Sequence, residues 1–105
     1  MEERTLSVTD EQTVYIALGN DVATVRLYAF HGLMYCDIYF RQDDYLVAGQ
    51  RVITGVWMMP TYTNKIYGNL RFESYDSDGD DYVWWEGFNT KFRLVTYTKE
   101  EMEQM

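Results

Sequence analysis

Met34-Tyr35-Cys36-Asp37-Ile38-Tyr39-Phe40 is the stretch of sequence that decides the fold, because its side chains alternate between two kinds. Apolar side chains occupy every second position, and two tyrosines and an aspartate fill the positions between them. Successive side chains of a β-strand point to opposite faces of the sheet. The stretch therefore predicts a strand with one face in a hydrophobic core and the other face outside it.

The chain before this strand shows the same period of two. Val14–Leu18 and Val22–Tyr28 both alternate, and Gly19-Asn20-Asp21 separates them. Because Gly and Asn tolerate the positive φ angles of tight hairpin turns, we predict a β-hairpin here. A further turn is predicted at His31-Gly32, shortly before the predicted strand Met34–Phe40.

The chain after the deciding strand is less regular. Residues 45–53 read as a strand that Gly49 interrupts, and a glycine inside a strand pattern suggests a bulge or bend. Val56–Lys65 has no persistent period, contains Pro60 and is rich in large apolar side chains. We predict a long loop for this segment.

Alternation returns in the last third of the chain. Leu70–Tyr75 and Asp81–Trp85 are predicted to form a hairpin across the acidic turn 76–80, and Lys91–Thr98 is predicted to be the last strand. About seven short strands with almost no helical period indicate an all-β fold. Two architectures fit, a small antiparallel β-sandwich or a partly closed β-barrel.

The length of 105 residues predicts one domain, with a core over about residues 12–98 and peripheral tails at 1–11 and 99–105. Two outcomes are open for the second tail, a short helical turn or a frayed end. The start Met1–Arg4 lacks the basic and apolar runs of a signal peptide, and no stretch reaches the ~20 apolar residues of a membrane span. We therefore expect synthesis in a cytoplasm and no membrane partner.

The charge of the chain argues against nucleic acid as a partner. Seventeen Asp and Glu residues outnumber nine Lys and Arg residues, giving a formal net charge of −8. Binding to a phosphate backbone needs clustered Lys and Arg. We expect no direct sequence-specific nucleic-acid binding.

The catalytic residue types are scarce and badly placed. The one histidine, His31, lies in a predicted turn, whereas the one cysteine, Cys36, lies on the predicted core face, so the two would point apart. Asp37 falls on the outer face, where a solvent-facing or cross-strand hydrogen-bonded role is favoured over catalysis. The chain is not expected to be an enzyme or to need a cofactor.

The turn containing Asp76, Asp78, Asp80 and Asp81 superficially resembles a calcium loop, since hard cations bind several oxygen ligands. Its spacing differs from that of an EF-hand, because counting from Asp76 places a glycine at the fourth position instead of the sixth. A plain acidic hairpin without a metal is favoured.

Aromatic and methionine side chains concentrate in and near the predicted loop. Such side chains anchor protein interfaces, although a small domain also uses them to cover the ends of its core. A carbohydrate-binding surface would use the same residue types. The candidate protein-contact residues are Trp57, Met58, Met59, Tyr62, Tyr67 and Trp84.

Five ordered stretches together resemble the baseplate plug proteins of contractile-tailed bacteriophages. The resemblance covers roughly residues 12–98, and it is carried by the order and spacing of the stretches. They are Val14–Gly19, Tyr35–Tyr39, Leu46–Gly55, Gly68–Leu70 and Phe88–Tyr97.

The resemblance implies a structural virion protein in the tail baseplate. It would plug or complete the central channel where the hub, the tail tube and the spike meet, through contacts with hub, tube-initiator or spike proteins. Trp57, Met58 and Met59 are the residues we expect to anchor such a contact. The alternative is a carbohydrate-binding or receptor-adhesion module of a phage tail, in which Trp84, Trp85 and the tyrosines would stack on sugars.

Overall fold

The computed structural model describes residues 1–19, 21–40, 44–75 and 82–105, and this part of the chain forms two antiparallel β-sheets. The strands are β1 (Glu2–Arg4), β2 (Glu11–Leu18), β3 (Asp21–Phe30), β4 (Leu33–Phe40), β5 (Asp44–Arg51), β6 (Asn69–Ser74) and β7 (Phe92–Tyr97). The order in the first sheet is β2-β3-β4-β5, and the order in the second is β1-β7-β6. The all-β prediction is confirmed, and of the two architectures it is the small antiparallel sandwich that fits.

The four-stranded sheet follows the predicted alternation. In β4 every second side chain is buried, and the residues between them are half-buried. The turn that joins β3 to β4 is two residues long, and its residues His31 and Gly32 both have positive φ angles, 51° and 78°. This matches the tight turns whose twist suits antiparallel strands. The predicted hairpin between β2 and β3 and the predicted turn before β4 are both confirmed.

The predicted irregularity at Gly49 is a register shift between β4 and β5. Cys36 lies opposite Gln50, whereas Ile38 lies opposite Val47, so β5 carries one extra residue across this interval. Gly49 has a φ angle of 66°, which a residue without a Cβ adopts without strain. The bulge prediction is confirmed.

The core lies between the two sheets. Buried side chains of the four-stranded sheet, such as Val25 and Ile38, belong to the same cluster as Phe72 and Leu94 of the three-stranded sheet. Phe72 stacks on Phe88, with ring centroids 5.6 Å apart. Each large apolar side chain buried in this way contributes roughly 1.5–3 kcal/mol.

The predicted hairpin between Leu70–Tyr75 and Asp81–Trp85 is wrong. β6 pairs with β7 on one side. On its other side it accepts backbone hydrogen bonds from Gly55 and Met58, each 2.9 Å long. Because both edges of β6 are occupied, residues 82–85 pair elsewhere: Tyr82 forms an isolated bridge to Ile53.

The loop predicted over Val56–Lys65 contains one turn of 3-10 helix, Thr61–Lys65, and a second such turn is Trp85–Gly87. The C-terminal tail begins with a short helix, α1 (Lys99–Glu103). Thr98 caps α1 through a reciprocal capping box with Glu101, which explains why a helical turn forms here.

Residues 1–11, which alternation alone placed at the periphery, contribute to the sandwich. β1 pairs with β7, and Leu6 is buried in the core. The side chain of Asn89 holds Leu6 by accepting its N–H at 3.0 Å and donating to its carbonyl at 2.6 Å. The side-chain amide of Asn89 thus makes the two hydrogen bonds to Leu6 that the backbone of a neighbouring strand would otherwise make.

The turn residues Asn20 and 41–43, and the candidate calcium turn Asp76–Asp81, lie outside the described residues. Among the helices of the described part of the chain, none has the length and apolar character needed to cross a membrane.

Candidate protein-interaction surfaces

Met58 and Met59, two of the expected contact residues, are core side chains, with 1% and 2% of their surface exposed. The buried Asn69 explains this placement. Its side chain accepts the N–H of Met59 at 3.1 Å and donates to the carbonyl of Met59 at 3.0 Å. The loop is thereby pulled onto the sandwich, so that neither methionine side chain is accessible to a partner in this conformation.

Trp57 lies half-buried on the outer side of the three-stranded sheet. Its ring meets that of Tyr97 edge-on at 5.4 Å, and the guanidinium of Arg71 lies 4.4 Å from the Trp57 ring centroid. Arg71 is fixed in turn by an ion pair with Glu73, 3.1 Å long. One face of the indole is therefore occupied by a cation–π contact inside the protein.

The other three expected contact residues lie in separate surroundings. Tyr62 is 64% exposed and lines, with Met102, a groove of about 530 Å³ between the first 3-10 turn and α1. Tyr67 stacks on Phe40 at 4.0 Å, and Trp84 donates its indole N–H to Glu86 at 3.0 Å.

In the part of the chain that the structure describes, the four expected contact residues outside the core do not touch one another through hydrogen bonds or ring contacts. Within the described residues, no hydrogen bond or ring contact joins any two of Trp57, Tyr62, Tyr67 and Trp84.

A larger aromatic surface, which sequence reasoning did not select, lies on the outer face of the four-stranded sheet. Tyr15 is 72% exposed and Phe30 is 58% exposed. Tyr35 is in ring contact with both Tyr28 and Phe30, at 6.0 and 6.3 Å. We call this surface the tyrosine face; its aromatic members are Tyr15, Tyr28, Phe30, Tyr35 and Tyr39. The signal was present in the sequence, because the non-core positions of these strands carry aromatic residues where a solvated face usually carries charges.

A polar network lies in the tyrosine face. Asp37 accepts hydrogen bonds from the Tyr28 hydroxyl at 3.0 Å and from the Gly49 N–H at 2.6 Å, and it lies 3.6 Å from Arg26. Burial and the hydrogen bond to Asp37 raise the pKa of Tyr28. The cross-strand hydrogen-bonded role predicted for Asp37 is confirmed. Its carboxylate links β4 to Tyr28 in β3 and to Gly49 in β5.

A second network covers the outer face of the three-stranded sheet. Glu73 receives hydrogen bonds from Tyr97, Arg71 and Arg93. Burial alone would raise the pKa of Glu73, but these hydrogen bonds and the two positive charges outweigh it, so the pKa lies below its ordinary value. Tyr97 shows the complementary effect, since burial and its bond to Glu73 raise its pKa.

Cys36 and His31 occupy the places that the sequence predicted. Cys36 is fully buried, and burial raises its pKa to about 12, so that the thiol stays protonated at neutral pH. His31 is exposed in the turn between β3 and β4, where its ring contacts Phe30. These positions agree with a structural thiol and a surface imidazole.

Comparison with known proteins identifies a family to which the chain is similar. A search of curated proteins finds no match to the chain. The family model described as cyanophage baseplate Pam3 plug gp18 matches residues 1–99. This match covers nearly the whole chain and includes all five stretches that carried the resemblance. The chain therefore belongs to this family of phage baseplate plug proteins, and it is a structural component of the tail baseplate.

Proposed function

We propose that the chain plugs the central channel of the baseplate, at the junction of hub, tail tube and spike, until ejection begins. The observation that carries this proposal is the match of residues 1–99 to a baseplate plug family. The net charge of −8 supports it, since an acidic surface does not retain the DNA that must pass the channel.

The plug would be held by protein contacts, with hub, tube-initiator and spike proteins as the partners. The tyrosine face is the surface best suited to such contacts, because exposed aromatic side chains supply large contact area with few rotatable bonds. Tyr15 and Phe30 are its most exposed aromatic members. Trp57 and Tyr62 remain proposed contacts at other places on the surface, whereas the buried Met58 and Met59 do not.

Particles made without this protein test the channel-closing role. The gene is deleted in the source phage and supplied in trans, and purified particles are analysed by mass spectrometry and by the fraction of genomes sensitive to DNase. We expect the protein in wild-type particles, and either failed tails or leaked genomes without it. Intact, infectious particles lacking the protein would overturn the proposal.

Surface variants test the contacts. The double variant Tyr15→Ala/Phe30→Ala removes the two most exposed aromatics of the tyrosine face, and Trp57→Ala removes the indole next to Arg71. Tyr75→Ala is the matched control, since Tyr75 is an exposed aromatic that packs on Arg93 of the three-stranded sheet. We expect the first two variants to reduce incorporation into particles at least ~tenfold, as loss of interface anchors does, and the control to retain it. Equal incorporation of all three would contradict the proposed contacts.

The carbohydrate-binding alternative predicts a different result. The isolated protein would then bind glycans, and Trp84→Ala would abolish that binding without changing particle content. Glycan binding together with the absence of the protein from baseplates would overturn the plug proposal.

A further inference from the structure

β2 is the edge strand of the four-stranded sheet, and it pairs only with β3. The register places Leu18 opposite Asp21, and the Ala29 N–H donates to the Asp10 carbonyl at 2.9 Å. In an antiparallel pair the residues alternate between those that bond across the ladder and those that do not. The even-numbered residues of β2 therefore bond to β3, and the backbone groups of the odd-numbered residues point away from it.

Thr13, Tyr15 and Ala17 consequently present their N–H and C=O groups along a free edge. Within the described part of the chain, no backbone hydrogen bond outside the pairing of β2 with β3 involves these three residues. A row of unpaired donors and acceptors at this spacing is a template for another strand. Natural proteins usually shorten, charge or cover such an edge, whereas β2 is eight residues long.

A groove lies beside this edge. It has a volume of about 420 Å³, and it runs between the segment Glu3–Leu6 and the segment Val14–Ile16. Its floor includes the buried side chains of Leu6 and Ile16, and Asn89 holds the Leu6 side of the groove in place. An added strand would thus find apolar surface for the side chains on one of its faces.

The charge of the chain selects the kind of strand. Glu3 and Arg4 line the groove, and the nearby carboxylates of Glu2, Glu3 and Glu11 are paired with Arg4, Arg93 and Arg26, so that the surroundings of the groove carry no excess of positive charge. The whole chain carries a net charge of −8, so that a second copy would be repelled. A basic strand from a different polypeptide is complementary to this acidic protein.

We propose that the free edge of β2 binds an extended strand of another baseplate polypeptide, by strand addition to the four-stranded sheet. The added strand has apolar side chains toward the groove and basic side chains toward solvent. This mode of recognition uses main-chain hydrogen bonds for affinity and alternate side chains for specificity. The inference rests on the proposed baseplate function and specifies how the plug is held.

Proline substitutions at the free edge test the proposal. Thr13→Pro and Ala17→Pro each remove an N–H that points away from β3, and proline is tolerated on an edge strand at such positions. Thr13→Ala is the matched control, because it changes the same side chain and keeps the N–H. We expect both proline variants to fold, to show the β-sheet circular dichroism of the wild type, and to lose at least ~tenfold in particle incorporation.

The outcomes of this experiment separate the two proposals. Absence of the wild-type protein from baseplates would mean that the proposed function fails. Incorporation of the wild type and of the folded proline variants alike would mean that only strand addition fails. If a proline variant does not fold, the exchange experiment below decides.

Amide hydrogen exchange provides the independent measurement on the wild-type protein. In the free protein we expect the amides of Thr13, Tyr15 and Ala17 to exchange much faster than those of Val14 and Ile16. In the presence of a nine-residue peptide of alternating Lys and Val, the three fast amides should slow by about tenfold or more. The matched Glu-Val peptide should leave them unchanged.

Three results would overturn the inference. Protection of the three amides by neither peptide would exclude strand addition, and equal protection by both would exclude the selection by charge. Protection that rises with the concentration of the free protein alone would show that the occupant is a second copy.

Discussion

The carboxylate of Asp37 accepts the backbone N–H of Gly49 at 2.6 Å, across the register shift between β4 and β5. At a bulge one residue is left without its ladder partner, so its N–H must bond to another group or to water. Asp37 supplies that partner from its side chain. Asp37 and Gly49 belong to two of the stretches by which the family is recognised, so this single bond gives a physical reason for both.

We expect Asp37→Ala to destabilise the fold by about 1–3 kcal/mol, since it leaves the Gly49 N–H and the Tyr28 hydroxyl without their acceptor. Tyr28→Phe is the matched control, because it removes only the hydroxyl bond and should cost about 0.5–1.5 kcal/mol. Urea denaturation measures both free energies of unfolding. Equal stability of Asp37→Ala and the wild type would show that the bond contributes nothing to the fold.

Gly68 should tolerate no side chain. A Cβ built on Gly68 would lie 2.1 Å from the carbonyl oxygen of Tyr97, and its φ angle is 97°. We expect Gly68→Ala to cost ~3 kcal/mol or more, from strain at positive φ together with the clash against the backbone of β7. Gly32→Ala isolates the first contribution, because Gly32 has a φ angle of 78° and open space around it. That variant should lose only ~1–2 kcal/mol in the same unfolding assay. If the two variants lost the same stability, the close approach to β7 would not be energetically significant.

The side chain of Asn69 should control the burial of Met58 and Met59. Asn69→Ala leaves the N–H and the carbonyl of Met59 unpaired, and each unpaired buried group costs about 1–3 kcal/mol. We expect the loop to open, so that peroxide oxidises Met58 and Met59 faster than in the wild type. Oxidation of the exposed Met105 should be unchanged and serves as the internal control. Mass spectrometry of tryptic peptides gives the rates, and unchanged protection of both methionines would contradict this role of Asn69.

The strands of the four-stranded sheet could be predicted from the sequence because local alternation and turn residues determine them. Cys36 alternates with Asp37 in the strand where both were expected, and the turn at His31 adopts the positive φ that tight turns require. The glycine at position 49 correctly predicted the bulge in β5. Each of these features depends on neighbours in the chain.

The features that the sequence did not reveal depend on distant neighbours. The sequence around Met58 and Met59 indicates a loop, because it does not show that Asn69 binds the backbone of Met59. A side chain that replaces a strand partner leaves no periodic signal. The strand predicted over residues 81–85 has sufficient local propensity, but β7 and the segment from Gly55 to Met58 already occupy both edges of β6. β1 is too short to show a period of two, and only its pairing with β7 reveals it.

Acid should weaken the fold partly through Glu73. Its pKa in the folded protein lies below its ordinary value, because the hydrogen bonds from Tyr97 and Arg71 and the charges of Arg71 and Arg93 outweigh the effect of burial. A carboxyl whose pKa is lower in the folded state stabilises the fold at pH values above its unfolded pKa of ~4.3. This contribution disappears as the pH falls from there through the lower, folded pKa.

We therefore expect Glu73→Gln to lose about 1–3 kcal/mol at pH 7, where the ionised carboxylate bonds three side chains. Below pH ~5 the stability of the variant should fall less steeply than that of the wild type, because the variant has no proton to bind at this site. Glu103→Gln, at an exposed position of α1, is the control and should leave the pH profile unchanged. Urea titrations at a series of pH values measure the slopes. Parallel curves for Glu73→Gln and the wild type would contradict a pH-dependent contribution of the Glu73 carboxylate to the stability of the fold.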